Sequence, residues 1–191
     1  MNTTKKVRCI GVAATAALAL SAGSAHADGA RFDAGAGIAL LIAGGKNPRG
    51  GGTLVAQARL ALPLGDYVDA SFATVPHVVT PYSWEKIGFI GALDLGIGMH
   101  PRDRSFTIGA SATAVPFLFL WQCNLQRCLR EPDIAWGGEA HVDVPFTAAP
   151  DGRGWYARAS VRLLYVDSAT WEASGDPKAI GVIQAAAGGT F

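Results

Sequence analysis

WGGEAHVDVPFTAAPDGRGWYARASVRLLY, residues 136–165, decides the fold. In its first half Trp136, Ala140, Val142, Val144 and Phe146 share one parity, and Glu139, His141 and Asp143 share the other. In its second half Trp155, Ala157, Ala159, Val161, Leu163 and Tyr165 alternate with Tyr156, Arg158, Ser160 and Arg162. Period-2 alternation of this length describes strands with one apolar and one polar face. Folding the two runs about Pro150-Asp151 sets Asp143 opposite Arg158, Glu139 opposite Arg162, and Phe146 opposite Trp155. Opposite charges facing each other across a ladder stabilise it, and a one-residue slip would undo every match.

The same alternation recurs along the chain. Arg31–Ala43 carries Phe32, Ala34, Ala36, Ile38, Leu40 and Ile42 on one face, and a Gly-rich loop, 44–52, follows. Strands are predicted over Thr53–Leu62 and Asp66–Val75, joined by a turn at Leu64-Gly65, with Arg59 opposite Asp69 on the polar side. A longer loop, 76–85, leads to a strand at Lys86–Met99 with Asp94 on its polar face. His100 to Asp103 turns the chain into Arg104–Leu120, whose parity is lost from Pro116 onward, predicting a bulge or edge irregularity. A polar loop over 121–135, the opening hairpin, a loop over 167–178 and a last strand at Ala179–Phe191 complete eight strands.

Residues 1–27 stand apart. Lys5, Lys6 and Arg8 precede an apolar run from Ile10 to Leu20, and Ala25-His26-Ala27 gives the small-x-small pattern of a cleaved secretory signal. The mature domain is therefore expected at 28–191. The whole chain has 16 basic and 15 acidic residues, so losing three basic ones leaves a slight acidic excess, a balance that disfavours nucleic acid as a partner. Cys123 and Cys128, a close pair in an exported chain, read as a disulfide closing a small loop, with two free thiols as the other reading.

No stretch of the mature sequence has the continuous apolar length of a membrane helix, so a route across a bilayer would be a closed barrel. An even strand number, and connections read as short after strands two, four and six and long after the others, fit that plan. Phe32, Tyr67, Phe106, Phe146, Trp155 and Phe191 fall at the short-turn ends, while Trp84, Trp121, Trp136, Tyr165 and Trp171 fall at or beyond the long-loop ends. At ~3.3 Å per residue and ~40° tilt, Trp136 to Phe146 rises ~25 Å, the height of a lipid-facing band between aromatic girdles. The expected fold is an all-β, eight-stranded antiparallel up-and-down transmembrane barrel, apolar outside.

Arg59, Asp69, Asp94, Glu139, His141, Asp143, Arg158 and Arg162 then fall inside. A narrow eight-stranded lumen is filled by side chains, so they read as a structural ion-pair network, with a polar channel or ligand site as the other reading. His141 opposite Ser160, with Glu139 and Asp143 near, invites comparison with a hydrolase triad, but GxSxG is missing and a lipid-acting nucleophile would have to face lipid. His77 and His100 are expected to be solvated. Neither a cofactor nor a metal site is expected.

Ile183, Ala185, Ala187, Gly189 and the terminal Phe191 share the outward parity of the last strand. With these residues the chain resembles the small eight-stranded bacterial outer-membrane barrels of the OmpA/OmpX type. The resemblance implies outer-membrane lipid as surroundings, recognition of Phe191 by the barrel assembly machinery, and a non-enzymatic structural or adhesion-type role with recognition in the external loops. Two other classes compete: a soluble lipocalin-like barrel holding an apolar ligand, and a lipid-modifying barrel enzyme.

Overall fold

The computed structural model describes residues 29–44, 49–80, 88–119, 133–148, 153–166 and 179–191. They form β1 (Arg31–Ala43), β2 (Arg49–Pro63), β3 (Val68–Thr80), β4 (Gly88–Met99), β5 (Thr107–Phe119), β6 (Asp133–Ala148), β7 (Gly154–Val166) and β8 (Ala179–Thr190). Each strand pairs antiparallel with its neighbour in sequence, and β1 closes on β8, so the sheet is a closed up-and-down barrel without free edges. The expected signal segment, the cysteine pair, Trp84, Trp121 and Trp171 lie outside the described residues.

The pairing fixes the stagger. Paired residues followed once around the barrel run from Ala61 through Ser71, Gly96, Ser111, Glu139, Arg162, Val182 and Leu41, and return to β2 at Gly51. That displacement of ten residues, from position 61 to position 51, sets the strand tilt at roughly 40°. Such a barrel leaves a lumen just wide enough for side chains. Where backbones crowd, the lumen side has no room even for a methyl: a Cβ on Gly37 would lie 2.1 Å from the carbonyl oxygen of Ala185 across the β1–β8 seam.

Parity behaves as the sequence indicates. On β7 residues alternate strictly between buried and exposed, with Arg158, Ser160 and Arg162 inside and Ala159, Val161 and Leu163 outside. Asp143 aligns with Arg158 and Glu139 with Arg162, the register expected from their charges. Three local expectations are corrected. Trp155 pairs with Thr147, not Phe146, because Pro145 has no N–H for the ladder and Phe146 becomes the extra residue of a bulge. The Trp155 amide is satisfied there by Thr147 Oγ1 at 2.9 Å. Arg59 pairs with Ala73, not Asp69, because the β2–β3 turn spans 64–67 and is longer than the two-residue turn assumed, and Leu64 N donates to Val68 O at 2.8 Å. The connections alternate less than expected: β2 begins at Arg49 and β3 runs to Thr80, so 44–48 and 81–87 are no longer than 100–106, and length is concentrated in 120–132 and 167–178. The irregularity expected near Pro116 is present as a register shift between Val115 and Leu118.

Candidate functional site: an ion-paired lumen

The lumen is divided along its axis. Toward the ends of the strands that lead into 120–132 and 167–178 it is filled by Leu41, Val55, Val75, Ile90, Val115, Leu118, Leu164, Val166, Ile180 and Val182, all buried. Toward the short-turn ends it is filled by charge. Charges inside are what the sequence leads one to expect; the apolar half is not.

Arg158 of β7 grips its ladder partner Asp143 of β6 in a two-point fork, Nε to Oδ1 at 2.6 Å and Nη2 to Oδ2 at 2.8 Å. The planar guanidinium matches carboxylate geometry, which makes this the strongest class of side-chain hydrogen bond. Arg59 of β2 reaches Asp33 of β1 through Nε at 2.6 Å and Asp143 through Nη2 at 2.8 Å. Arg162, deepest of the set, donates to Glu139 and, at 2.6 Å, to Asp94 of β4 on the opposite wall. Thr113 Oγ1 donates to the other Asp94 oxygen at 2.6 Å. Gln57 ties the network to Tyr156 at 2.7 Å, and also accepts from Arg158 and Gln184 at 3.3 Å each.

Asp69 joins none of these, so the proposed Arg59–Asp69 pair does not form. Asp69 lies at the short-turn mouth, where it accepts from Arg31 and from Arg104 at 3.1 Å, with His100 Nε2 at 3.3 Å. Arg31, Arg59, Arg104, Arg158 and Arg162 thus oppose Asp33, Asp69, Asp94, Glu139 and Asp143, five charges against five, and the described interior is balanced. Balance is what makes so many buried charges tolerable, since an unpaired one would be costly.

The two histidines expected in solvent are both inside. His77 is fully buried on β3, and its Nε2 accepts from Arg162 Nη1 at 2.9 Å; because guanidinium can only donate, the ring proton is on Nδ1. His100 is buried against Asp69. His77 escaped the sequence reading because Pro76 resembles a strand stop, but β3 continues through it: the β2–β3 ladder skips Pro76, and β4 still pairs with it. Asp33 and Arg31 were also missed, although each has the inward parity of its strand.

His141 and Ser160 do face each other on the β6–β7 ladder. The His141 ring lies against Gly109, where a Cβ would come within 2.4 Å of it, with Nε2 3.4 Å from Arg59 Nη1 and Nδ1 3.4 Å from Glu139 Oε1. A cation beside Nε2 competes for the lone pair a general base needs, and Ser160 is buried away from any lipid. Among the described residues no group of three His, Cys, Asp or Glu could hold a metal ion.

Outside, the sense is reversed. Ile38, Leu54, Phe72, Leu95, Ile108, Val161, Leu163 and Ile183 all project into the surroundings, Leu95 at 69% exposure. Tyr67, Phe106, Phe146, Trp155 and Phe191 are exposed near the short-turn rim, and Trp136 and Tyr165, with ring centroids 5.4 Å apart, near the other. No protein-family model matches the chain, and no curated protein sequence matches it. Among solved structures it is similar to the crystal structure of Ail, the attachment invasion locus protein of Yersinia pestis: TM-score 0.51, 9% identity, covering 85% of this chain and 99% of that one. The fold is that of the small eight-stranded outer-membrane barrels. A second structure, Ail with the heparin analogue sucrose octasulfate, gives a TM-score of 0.49 at 10% identity, again over 85% of this chain and 99% of the other. At these identities the likeness is one of fold.

Proposed function

We propose that the chain is an integral outer-membrane barrel with a non-enzymatic role in envelope structure or attachment, exercised through the segments at the end away from the short turns. One observation carries the reading: large apolar side chains cover the outside, while the charges turn inward and pair. A water-soluble protein that exposes Leu, Ile, Phe and Trp all around its girth would aggregate, whereas in a bilayer that surface is satisfied by acyl chains. The outer groove bordered by Trp136, Leu163, Tyr165 and Gly181 would be filled the same way. The attachment named for the Yersinia pestis protein is a role suited to such a scaffold.

The soluble lipocalin-like reading keeps one favourable observation, the apolar half of the lumen. That half is filled by its own side chains, Leu41 and Ile90 among them, and the outer surface still lacks polarity. Fractionating the expressing bacterium tests the proposal. The protein should be found in the outer membrane and migrate differently on gels before and after boiling; a soluble periplasmic protein without a mobility shift would overturn it.

A further inference from the structure

The arginines of the lumen are graded in exposure. Their side chains are exposed by 2% at Arg162, 3% at Arg158, 11% at Arg59, 21% at Arg31 and 30% at Arg104, rising toward the short-turn mouth. Above Arg162 sits His77, whose ladder partners are Val55 and Ile90, both part of the apolar filling. Water therefore has polar partners from the mouth as far as Arg162, and among the described residues few beyond.

We propose that the apolar half of the lumen is a seal, and that the charged half is a blind cup reached by water and small ions from the short-turn mouth alone. A small ion entering there would meet Asp69 with Arg31 and Arg104, then the Arg59–Asp33 and Arg158–Asp143 pairs, each able to replace part of its hydration shell. Past His77 the walls are Leu41, Ile90, Leu164 and Ile180, which offer no such replacement, and the buried Thr53 hydroxyl is turned onto the Leu54 carbonyl; a narrow apolar segment excludes ions by staying dry. The ion pairs shape and fill the cup; the aliphatic side chains close it. This proposal rests on the membrane reading above.

The test is conductance of the refolded protein in planar phosphatidylcholine bilayers in potassium chloride, with heat-dependent gel mobility scoring insertion as a closed barrel. A protein that never gives the heat-shifted band contradicts the membrane reading; an inserted protein that conducts contradicts the seal. Wild type and Arg162→Gln should both be silent, and the double variant Leu41→Ser/Leu118→Ser should show discrete openings. Steady wild-type current, or openings in Arg162→Gln with silence in an inserted double variant, would overturn the proposal.

A near-isosteric pair keeps the question decidable if the double variant does not fold. In a background without other cysteines, Ser71→Cys, half-buried in the cup, and Val115→Cys, in the seal, are treated with a sulfonated maleimide outside vesicles of known barrel orientation. Ser71→Cys should react at least tenfold faster where the short-turn mouth faces outward, and Val115→Cys should be spared in both orientations. Equal labelling of Ser71→Cys in both orientations would overturn the proposal.

Discussion

Arg162 and Asp94 join opposite walls of the barrel: a guanidinium nitrogen on β7 lies 2.6 Å from a carboxylate oxygen on β4, and the same nitrogen also donates to Glu139 on β6. With His77 of β3 also accepting from this guanidinium, four strands meet at one cation halfway along the lumen. Arg162→Ala leaves Asp94 and Glu139 buried without their partner and should cost about 3–5 kcal/mol. Arg102→Ala, at an exposed pair 3.8 Å from Asp66, should cost less than about 1 kcal/mol. Urea unfolding in the same lipid reads the difference, and equal midpoints would contradict a role for the network in stability.

Leu95 tests which side faces lipid. It is among the most exposed large side chains, midway along β4. In a bilayer Leu95→Arg should cost about 2–4 kcal/mol. In a water-soluble barrel the same change would be close to neutral, so folding stability of this variant in vesicles separates the two environments.

Three strand glycines differ in what a methyl would meet, Gly37 and Gly109 on the lumen side and Gly52 on the outer face. Gly37→Ala drives a Cβ into the Ala185 carbonyl and should prevent closure of the β1–β8 seam, abolishing the heat-shifted band. Gly109→Ala drives it into the His141 ring, which has a side chain's freedom to move, so the barrel should form with a lower urea midpoint. Gly52→Ala meets open space and should behave as wild type.

Arg104 has φ of +53°, the one positive value among non-glycine residues described. A side chain there strains the backbone by ~1–2 kcal/mol, and its guanidinium offsets that by binding Asp69 at 3.1 Å. Arg104→Ala loses the ion pair and keeps the strain; Arg104→Gly loses the pair but relieves the strain. Arg104→Gly should therefore be the more stable of the two variants by about 1 kcal/mol in urea unfolding.

These cases also show where the sequence was legible. Period-2 parity marked every strand, because the apolar outer face and the charged cup differ sharply over the short-turn half. Charge set the β6–β7 register through Asp143–Arg158 and Glu139–Arg162. The β2–β3 register was misread because Arg59 and Asp69 look like ladder partners, yet each binds a residue on another strand: Arg59 reaches Asp33 of β1, and Asp69 is met by Arg31 of β1. The seal was invisible for a simple reason. In Leu40-Leu41-Ile42, Leu163-Leu164-Tyr165-Val166 and Val182-Ile183 both parities are apolar, so alternation no longer distinguishes lumen from lipid. His77 needed the knowledge that a strand could continue through Pro76.

That apolar side chains face lipid and charges face the lumen is tested most directly by refolding the protein from urea with and without phospholipid vesicles, followed by circular dichroism and unboiled gel mobility. A β-rich, heat-shifted barrel should form when vesicles are present, with aggregation or loss of β-structure in buffer alone. A soluble, monomeric β-barrel formed without any amphiphile would contradict the account.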